Sequence, residues 1–189
     1  MLPSLALLAH RDLLSKAQWS LDMDLDAEYP RGINHVGLSV PDLEKAVDWY
    51  QSVLGFTVLM GPYEVIIGDS YSSRMLMDFF GPELKRLRVV HMSMGNGVGL
   101  EMFEFIEPKS QALRNDFEYT RGGFYHICVT EPNVEALVKR IVESGGKQIS
   151  RVWEIYKGSA FKAVYCRDPF GNVIEVFSHD YEQVWRKDS

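Results

Sequence analysis

The stretch Gly32–Gly55 reads GINHVGLSVPDLEKAVDWYQSVLG, and Gly123–Gly146 reads GFYHICVTEPNVEALVKRIVESGG. The two stretches align without a gap over 24 positions at a constant offset of 91 residues, which pairs His35 with His126. Self-similarity in one register over this length indicates a duplicated structural unit. The chain of 189 residues is long enough for one large domain or two small ones.

Each copy is predicted to fold as a strand, a turn and a helix. Residues 33–40 and 124–130 alternate in hydrophobicity as strands do. The dipeptides Pro41-Asp42 and Pro132-Asn133 supply a turn and a helix N-cap, and glycines 55, 145 and 146 end the helices. Each helix has one apolar face, made of Leu43, Ala46, Val47, Tyr50 and Leu54 in the first copy and of Val134, Leu137, Val138, Ile141 and Val142 in the second.

The last strand of each copy is also repeated. Gly97–Phe103 aligns with Gly171–Phe177 at an offset of 74 residues. The first copy is therefore 17 residues longer than the second. The excess falls within Gly61–Arg88, which is predicted to hold a strand and an inserted loop or short helix near the mouth of a pocket. The pattern predicts a duplicated βαβββ unit.

The repeat boundaries predict five segments along the chain. We expect an N-terminal helical arm at 1–30, a first βαβββ module at 31–107 and a second at 122–180. A polar linker at 108–121 joins the modules, and a tail follows at 181–189. Within the arm, Ser4–Ala17 is predicted to be an amphipathic helix, with Leu5, Leu8, Ala9 and Leu13 on one face.

Charge and composition indicate which classes of partner the protein binds. The net charge is −6 and no run of basic residues occurs, so we expect no nucleic-acid partner and no membrane surface, and a small-molecule substrate instead. The apolar segment near the N-terminus is too short for a membrane span and lacks the basic flank of a signal peptide. The two cysteines have no CxxC spacing, which favours a reducing, cytoplasmic location.

Strand alternation puts four potential metal ligands on one face of the sheets. His35 lies opposite the apolar face of its strand, and the same alternation puts Glu101, His126 and Glu175 on the equivalent face. A lone strand histidine is usually part of the core or the surface. One imidazole and one carboxylate from each copy, however, suit a divalent ion such as Fe, Mn, Co, Ni or Zn. The repeat therefore favours a metal site.

The other histidines are expected to have no role in the site. A two-residue hairpin at Asn96-Gly97 would pair Met92 with Glu101 and turn His91 toward the helix, whereas a three-residue loop would set His91 beside Glu101. The first arrangement is the preferred prediction, with a structural role for His91. His179 is expected to be solvated.

The motifs together resemble a known superfamily. The repeat, LEMFEF at 100–105, GGFYHICV at 122–129 and DPFGNVIEVFSH at 168–179 are similar to the vicinal oxygen chelate superfamily of glyoxalases, epimerases, extradiol dioxygenases and resistance proteins. The resemblance implies an α+β chain of two tandem βαβββ modules forming an open eight-stranded cup, the glyoxalase-like fold. It also implies one divalent metal ion per chain and a homodimer. On this resemblance His35, Glu101, His126 and Glu175 fall on the four ligand positions of the glyoxalase type.

Three functions follow from the resemblance. Lyases and isomerases of the glyoxalase or epimerase type stabilise an enediolate on the metal and use a glutamate for proton transfer. Glu175 is the first choice as base because a flexible turn at 168–171 would let its strand adjust, and Glu101 is the second. The first alternative is a ring-cleaving extradiol dioxygenase. The sequence resembles that type at Tyr165–Gly171 but lacks the expected histidine, for which Tyr156 or Tyr165 would have to substitute as the acid. The alternative of a non-catalytic binding or resistance protein fits less well with a full ligand set.

Overall fold

The computed structural model describes residues 30–111, 119–120 and 122–186. The predicted N-terminal arm, including the helix over Ser4–Ala17, lies outside these residues apart from Pro30, and so does most of the predicted linker. Within the described ranges, no helix has both the length and the apolar character needed to cross a bilayer.

The chain folds as two successive α+β modules, as the repeat predicts. The first contains β1 (His35–Ser39), α1 (Leu43–Leu54), β2 (Thr57–Ile66), α2 (Tyr71–Phe80), β3 (Arg86–Ser93) and β4 (Gly99–Glu107). The second contains β5 (Ile127–Thr130), α3 (Val134–Glu143), β6 (Lys147–Gln148), β7 (Trp153–Glu154), β8 (Lys162–Arg167) and β9 (Val173–Phe177), and α4 (Tyr181–Trp185) follows. Helix α2 lies in the stretch where the sequence predicts an insertion.

The strands form two open sheets with matching topology. The first sheet has the order β1-β4-β3-β2, and the second has the order β5-β9-β8-β6 with β7 also paired to β8. The strands β1 and β4 run parallel, as do β5 and β9. The strand that the repeat predicts beside β8 is broken into β6 and β7, because the amides of Ile149 and Ser150 both bond to the carbonyl of Tyr165. With this break, the described residues contain nine strands where the resemblance implies eight.

Local sequence explains where the repeated helices begin and end. The carboxylate of Asp42 accepts a hydrogen bond from the amide of Lys45 at 3.1 Å, and the side chain of Asn133 accepts one from Ala136 at 3.2 Å. These are the predicted N-caps, which satisfy amides that the first helical turn leaves unpaired. Gly55 ends α1 in the left-handed region, at φ 71°, where a side chain would be strained.

One apolar core lies between the two helices and the two sheets. It includes α1 and α3 side chains together with Leu100, Met102, Ile174 and Val176, which strand alternation sends to the helix side as predicted. Met92 also lies in this core, whereas the preferred hairpin would have turned it to the opposite face. Hydrogen bonds also join the modules. The indole of Trp49 donates to the carbonyl of Ser144 at 3.1 Å, and the hydroxyl of Tyr50 donates to Asp168 Oδ2 at 2.9 Å. The modules therefore share one interior.

Helix α2 covers part of the opposite face of the first sheet. Leu76 packs against a second small core around Leu87 and Val89. The ring of Phe80 makes edge contacts with Phe103 and Phe105, with centroids 5.6 and 5.3 Å apart. The second module has no described counterpart of this helix within 122–186, so the open faces of the two sheets differ.

Each module also carries the same ion pair between its helix and its sheet. Glu44 at the start of α1 pairs with Arg88 of β3, and Glu135 at the start of α3 pairs with Lys162 of β8. The two glutamates are 91 residues apart and the two cations are 74 residues apart, which are the two offsets of the repeat. The duplication thus preserves side-chain contacts as well as the backbone path.

Candidate metal centre

The first module brings His35 and Glu101 together at the edge between β1 and β4. His35 Nε2 lies 3.4 Å from Glu101 Oε2. His35 is directly opposite Gly99 in the parallel ladder, and a Cβ on Gly99 would lie 2.9 Å from the Cβ of His35. A real Cβ contact is not that short, so glycine opposite His35 leaves room for the imidazole.

The imidazole of His35 lies between a side-chain amide oxygen and a carboxylate. His35 Nδ1 lies 2.9 Å from Asn34 Oδ1, and a side-chain carbonyl oxygen only accepts hydrogen bonds. In the neutral tautomer that donates from Nδ1 to Asn34, Nε2 faces Glu101 with a lone pair. Two acceptors at this distance repel unless a proton or a cation lies between them.

The second module brings His126 and Glu175 together in the equivalent place. His126 Nε2 lies 3.2 Å from Glu175 Oε2, and this pair is more enclosed than the first, since the Glu175 side chain is 13% exposed and that of Glu101 is 29% exposed. The rings of Tyr125 and Tyr165 lie against His126, with centroids 4.7 and 5.5 Å away. His126 Nδ1 is buried and has no hydrogen-bond partner.

His91 lies beside Glu101, so the preferred prediction for it is wrong. Its Nδ1 lies 3.1 Å from Glu101 Oε1, and the two residues are direct partners across β3 and β4. The hairpin has a three-residue loop at 95–97, because the amide of Met94 bonds to the carbonyl of Val98. This loop shifts the register by one residue relative to a two-residue turn, and such a shift moves every side chain to the other face.

Glu175 has different neighbours, Cys128 and Tyr165, which lie directly opposite it on β5 and β8. Although Cys128 is an exposed residue, loss of solvent around its thiol, followed by the charge of Glu175, raises the pKa of that thiol to about 12. The same two causes, in the same order, raise the pKa of the Tyr165 phenol above its usual value. Both groups therefore keep their protons at neutral pH and face the carboxylate as donors.

Hydrogen bonds hold the turn before Glu175 in place. The structure therefore does not support the flexible turn at 168–171 on which the choice of Glu175 as base depends. Asp168 is 3% exposed, and its carboxylate accepts hydrogen bonds from the hydroxyl of Tyr50, the amides of Phe170 and Asn172, and the side-chain amide of Asn172. The turn therefore supplies no flexible hinge for the strand of Glu175.

Of the two tyrosines considered as acids, only Tyr165 lies near this site. The hydroxyl of Tyr156 donates to the carbonyl of Val184 at 3.4 Å, and its ring packs against Trp185 of α4. His179, expected to be solvated, is partly buried, since its ring makes an edge contact with Phe161 and its Nδ1 lies 2.8 Å from the hydroxyl of Ser178.

The donors fit a divalent ion in kind and in spacing. Two donors bound 2.0–2.2 Å from one ion lie about 2.8–3.4 Å apart, and the nitrogen-to-oxygen distances within the two pairs are 3.4 and 3.2 Å. The structure brings the four predicted ligands together as two pairs and not as one set. Among residues 30–111, 119–120 and 122–186, no three His, Cys, Asp or Glu side chains are arranged to hold a metal.

Comparisons with known proteins agree with this fold. The model of the Glyoxalase/Bleomycin resistance protein/Dioxygenase superfamily matches residues 32–176. A 2-epi-5-epi-valiolone epimerase from Actinomyces is 23% identical over 151 residues, which cover 77% of this chain and 78% of that protein. Human mitochondrial methylmalonyl-CoA epimerase is 26% identical over 137 residues, or 72% and 66% of the two chains. Glyoxalase I of Saccharomyces cerevisiae is 24% identical over 80% of this chain, which spans 46% of that relative.

Solved structures show the same architecture. A glyoxalase family protein from Bacillus cereus superimposes with a TM-score of 0.64 at 18% identity, over 81% of this chain and 96% of that one. A fosfomycin resistance protein from Listeria monocytogenes, solved with Mn(II) and 1S,2S-dihydroxypropylphosphonic acid, gives a TM-score of 0.54 at 15% identity, over 84% and 98% of the two chains. At these identities the likeness shows the fold alone.

Proposed function

This chain belongs to the glyoxalase/bleomycin resistance protein/dioxygenase superfamily, and we propose that it is a divalent-metal-dependent lyase or isomerase of the glyoxalase or epimerase type. Its substrate is a small molecule with two adjacent oxygen atoms. The observation that carries the proposal is the pair of His–Glu contacts at equivalent positions of the two modules. Fold alone does not name a reaction in a superfamily that hosts many.

In this proposal His35, Glu101, His126 and Glu175 hold one divalent ion per chain, which can be Fe, Mn, Co, Ni or Zn. A bound ion supplies Lewis-acid polarisation of a substrate oxygen. Neither pair has enough donors alone, because protein sites for such ions use three or four side chains. Ion binding therefore has to draw the two pairs together, and it should raise the melting temperature of the chain.

Glu175 is the proposed base. It takes the proton from the carbon beside the substrate carbonyl, and the electron pair of the broken C–H bond stays within the substrate. In an isomerisation Glu175 returns the proton to the neighbouring carbon. In an epimerisation Glu175 releases it to solvent and a proton from solvent reaches the same carbon on its opposite face, because return from the same face would restore the starting configuration. Its low exposure limits competition from water. The protonated Tyr165 and Cys128 face the carboxylate and can keep it oriented. Glu101 is the second candidate for this role.

The names of the relatives support this reaction type over the alternatives. Two of the three curated relatives described above are epimerases, and the third is a glyoxalase I. Epimerisation inverts a carbon centre, and removal of a proton beside a carbonyl is the simplest route to that result. The names of the two epimerases also suggest test compounds, namely 2-epi-5-epi-valiolone and methylmalonyl-CoA.

The deciding experiment combines metal analysis with isotope exchange. Protein as purified, and protein reloaded with Mn²⁺ or Co²⁺, is incubated without oxygen in D₂O with 2-epi-5-epi-valiolone, methylmalonyl-CoA and dihydroxyacetone. We expect about one ion per chain and exchange of the proton beside the carbonyl in at least one compound. Stoichiometric consumption of dioxygen without exchange would favour the ring-cleaving dioxygenase. Absence of metal affinity would favour a non-catalytic binding protein.

Variants test the ligand set directly. We expect His35→Ala and His126→Ala each to lose most of the bound metal while the circular dichroism spectrum is kept. His179→Ala is the matched control, because His179 is partly buried and belongs to neither pair. Full metal occupancy in both ligand variants would refute the assignment.

We further propose a homodimer in the cytoplasm. The support is the family resemblance and the apolar face predicted for the N-terminal helix, which lies outside the described residues and needs a surface to cover it. Light scattering at micromolar concentration should give twice the chain mass of 21.6 kDa, and a monomer would refute this part of the proposal.

A further inference from the structure

His91 is held between two side chains that satisfy both of its ring nitrogens. Nδ1 lies 3.1 Å from Glu101 Oε1, and the hydroxyl of Tyr63 lies 3.2 Å from Nε2. The rings of Tyr63 and His91 are stacked, with an interplanar angle of 27°. Since a carboxylate only accepts, Nδ1 donates to Glu101, and the phenol of Tyr63 donates to Nε2. The neutral ring therefore has no lone pair left for a metal.

The backbone of β2 is shaped to place Tyr63 on this face. Met60 is opposite His91 and Tyr63 is opposite Val89, so β2 contains one extra residue in this interval. Gly61 lies within that bulge at φ 92°, and a Cβ there would lie 2.7 Å from the carbonyl oxygen of Val89. Only glycine fits such a position, and a bulge commonly serves to re-aim a neighbouring side chain.

We propose that His91, supported by Tyr63, is a positioning residue for Glu101. By holding Oε1, it fixes the carboxylate so that Oε2 faces His35, as a ligand that binds through one oxygen. Hydrogen bonds to a ligating carboxylate are part of a metal site, and their loss typically weakens metal affinity about 10- to 100-fold. This inference rests on the proposed function, because it assigns Glu101 to the metal.

The second module surrounds its glutamate with different groups. The residue equivalent to His91 at the offset of 74 is Tyr165, and Cys128 replaces the first module's Gly37 at the offset of 91. Glu175 therefore faces a phenol and a thiol where Glu101 faces an imidazole. In this proposal the two carboxylates are specialised: the imidazole of His91 fixes Glu101 as a ligand, and Glu175, which faces neutral donors, is the base.

The test measures Co²⁺ binding to the full chain after removal of metal with a chelator. The affinity comes from calorimetry, and the visible absorption spectrum of Co²⁺ reports the geometry of its ligands. His91→Phe keeps a ring against Tyr63 but removes the donor, and it should weaken binding about 10- to 100-fold and change the spectrum. His91→Asn keeps an N–H donor and should restore most of both. Tyr63→Phe should weaken binding less than His91→Phe, and His179→Asn should leave it unchanged.

Each remaining outcome decides the question. Unchanged affinity and spectrum in His91→Phe would overturn the proposal. Equal losses in His91→Phe and His91→Asn would also overturn it, because they would show that His91 is itself a ligand. If His91→Phe does not fold, His91→Leu provides the same comparison with His91→Asn. Failure of the parent protein to bind Co²⁺ would refute the proposed function instead, so the two failures are distinguishable.

Discussion

The two modules share a backbone and differ in what surrounds the glutamate of each. In the first, Glu101 lies between two histidines on a sheet that α2 partly covers. In the second, Glu175 lies among His126, Tyr165 and Cys128 on a sheet with no such helix in the described part. Duplication has kept the positions of the acids and changed their partners. The comparison teaches that equivalent residues can take unequal roles when the side chains facing them differ.

The largest expected effect separates the two glutamates. Glu175→Gln keeps a neutral oxygen donor and removes the base, so turnover should fall about 10²- to 10⁴-fold while most of the metal is retained. Glu101→Gln should instead weaken Co²⁺ or Mn²⁺ binding, because it removes the anionic ligand that His91 holds. Metal content and single-turnover rates on both variants check this. Reversed effects would exchange the two roles, and equal effects would show that the carboxylates are not specialised.

The next effect concerns the turns before β4 and β9. Asp168→Ala leaves four donors around a buried position without their acceptor, and it should lower the free energy of unfolding by about 2–4 kcal/mol. Met94→Ala, at the equivalent place in the first module, removes only partly buried apolar contacts and should cost less. Urea denaturation of both variants measures the difference. Equal costs would mean that the Asp168 network adds nothing to stability.

A smaller effect on the free energy of unfolding depends on pH and concerns Tyr50. Tyr50 of α1 is equivalent to Ile141 of α3 at the offset of 91. Burial raises the pKa of Asp168, while the hydrogen bonds from Asn172 and Tyr50 act in the opposite direction. Because the folded state holds the Asp168 proton more tightly than the unfolded state, the contribution of this group to stability falls as pH rises through its pKa. The Tyr50 hydroxyl favours the ionised form and offsets part of that fall.

Tyr50→Phe should therefore cost about 1–2 kcal/mol at neutral pH and less in acid, where the carboxyl of Asp168 is protonated. Denaturation at neutral pH and at a series of lower pH values measures how the cost changes. Ile141→Val is the matched control in α3, and its cost should not change with pH. A cost of Tyr50→Phe that is equal or larger in acid would contradict the assigned hydrogen bond.

The smallest effect concerns the two equivalent ion pairs. Glu44→Gln and Glu135→Gln should each lower the free energy of unfolding by less than about 1 kcal/mol, because exposed pairs are screened by water and salt. The pKa of each glutamate is lowered first by its hydrogen bond to Arg88 or Lys162. The stabilisation from each pair is therefore present at neutral pH and lost as pH falls through that lowered pKa. Measurement in about 1 M salt should abolish both differences.

The repeat was sufficient to predict the duplicated strands and helices, and the sheet face on which His35, Glu101, His126 and Glu175 lie, but it predicted one set of four residues where the structure has two pairs. The offset of 91 aligned segments whose secondary structure depends on residues nearby in the sequence. Strand alternation then predicted which face of the sheet each side chain takes. The prediction for His91 was wrong because Asn96-Gly97 was interpreted as a two-residue turn. The offset of 74 contained the correction, since it aligns this loop with Asp168–Asn172 and His91 with Tyr165. Both hairpins have the same backbone hydrogen bonds.

Contacts between modules could not be predicted in this way. Tyr50 and Asp168 are 118 residues apart. The sequence around Tyr50 explains it as part of the apolar face of a helix, and the sequence around Asp168 explains it as a turn residue, so neither suggests a contact with the other. Their hydrogen bond depends on how the two modules pack, which the repeat does not encode. The position of Tyr63 depends likewise on a bulge in β2, and a single extra residue in a strand leaves no periodic signal in the sequence.

Helix α2 and the aromatic cluster of Phe80, Phe103 and Phe105 have a stereochemical consequence. Two identical modules would be related by a pseudo-twofold axis, and a flat molecule lying on that axis would meet the same groups above and below its plane. Here one side carries the aromatic cluster and the imidazole of His91, while the other carries a phenol and a thiol. A planar species bound between the modules would therefore have distinguishable faces, and a proton delivered by Glu175 would arrive on one of them. The inserted residues are thus a source of handedness in a site whose ligand positions are symmetric.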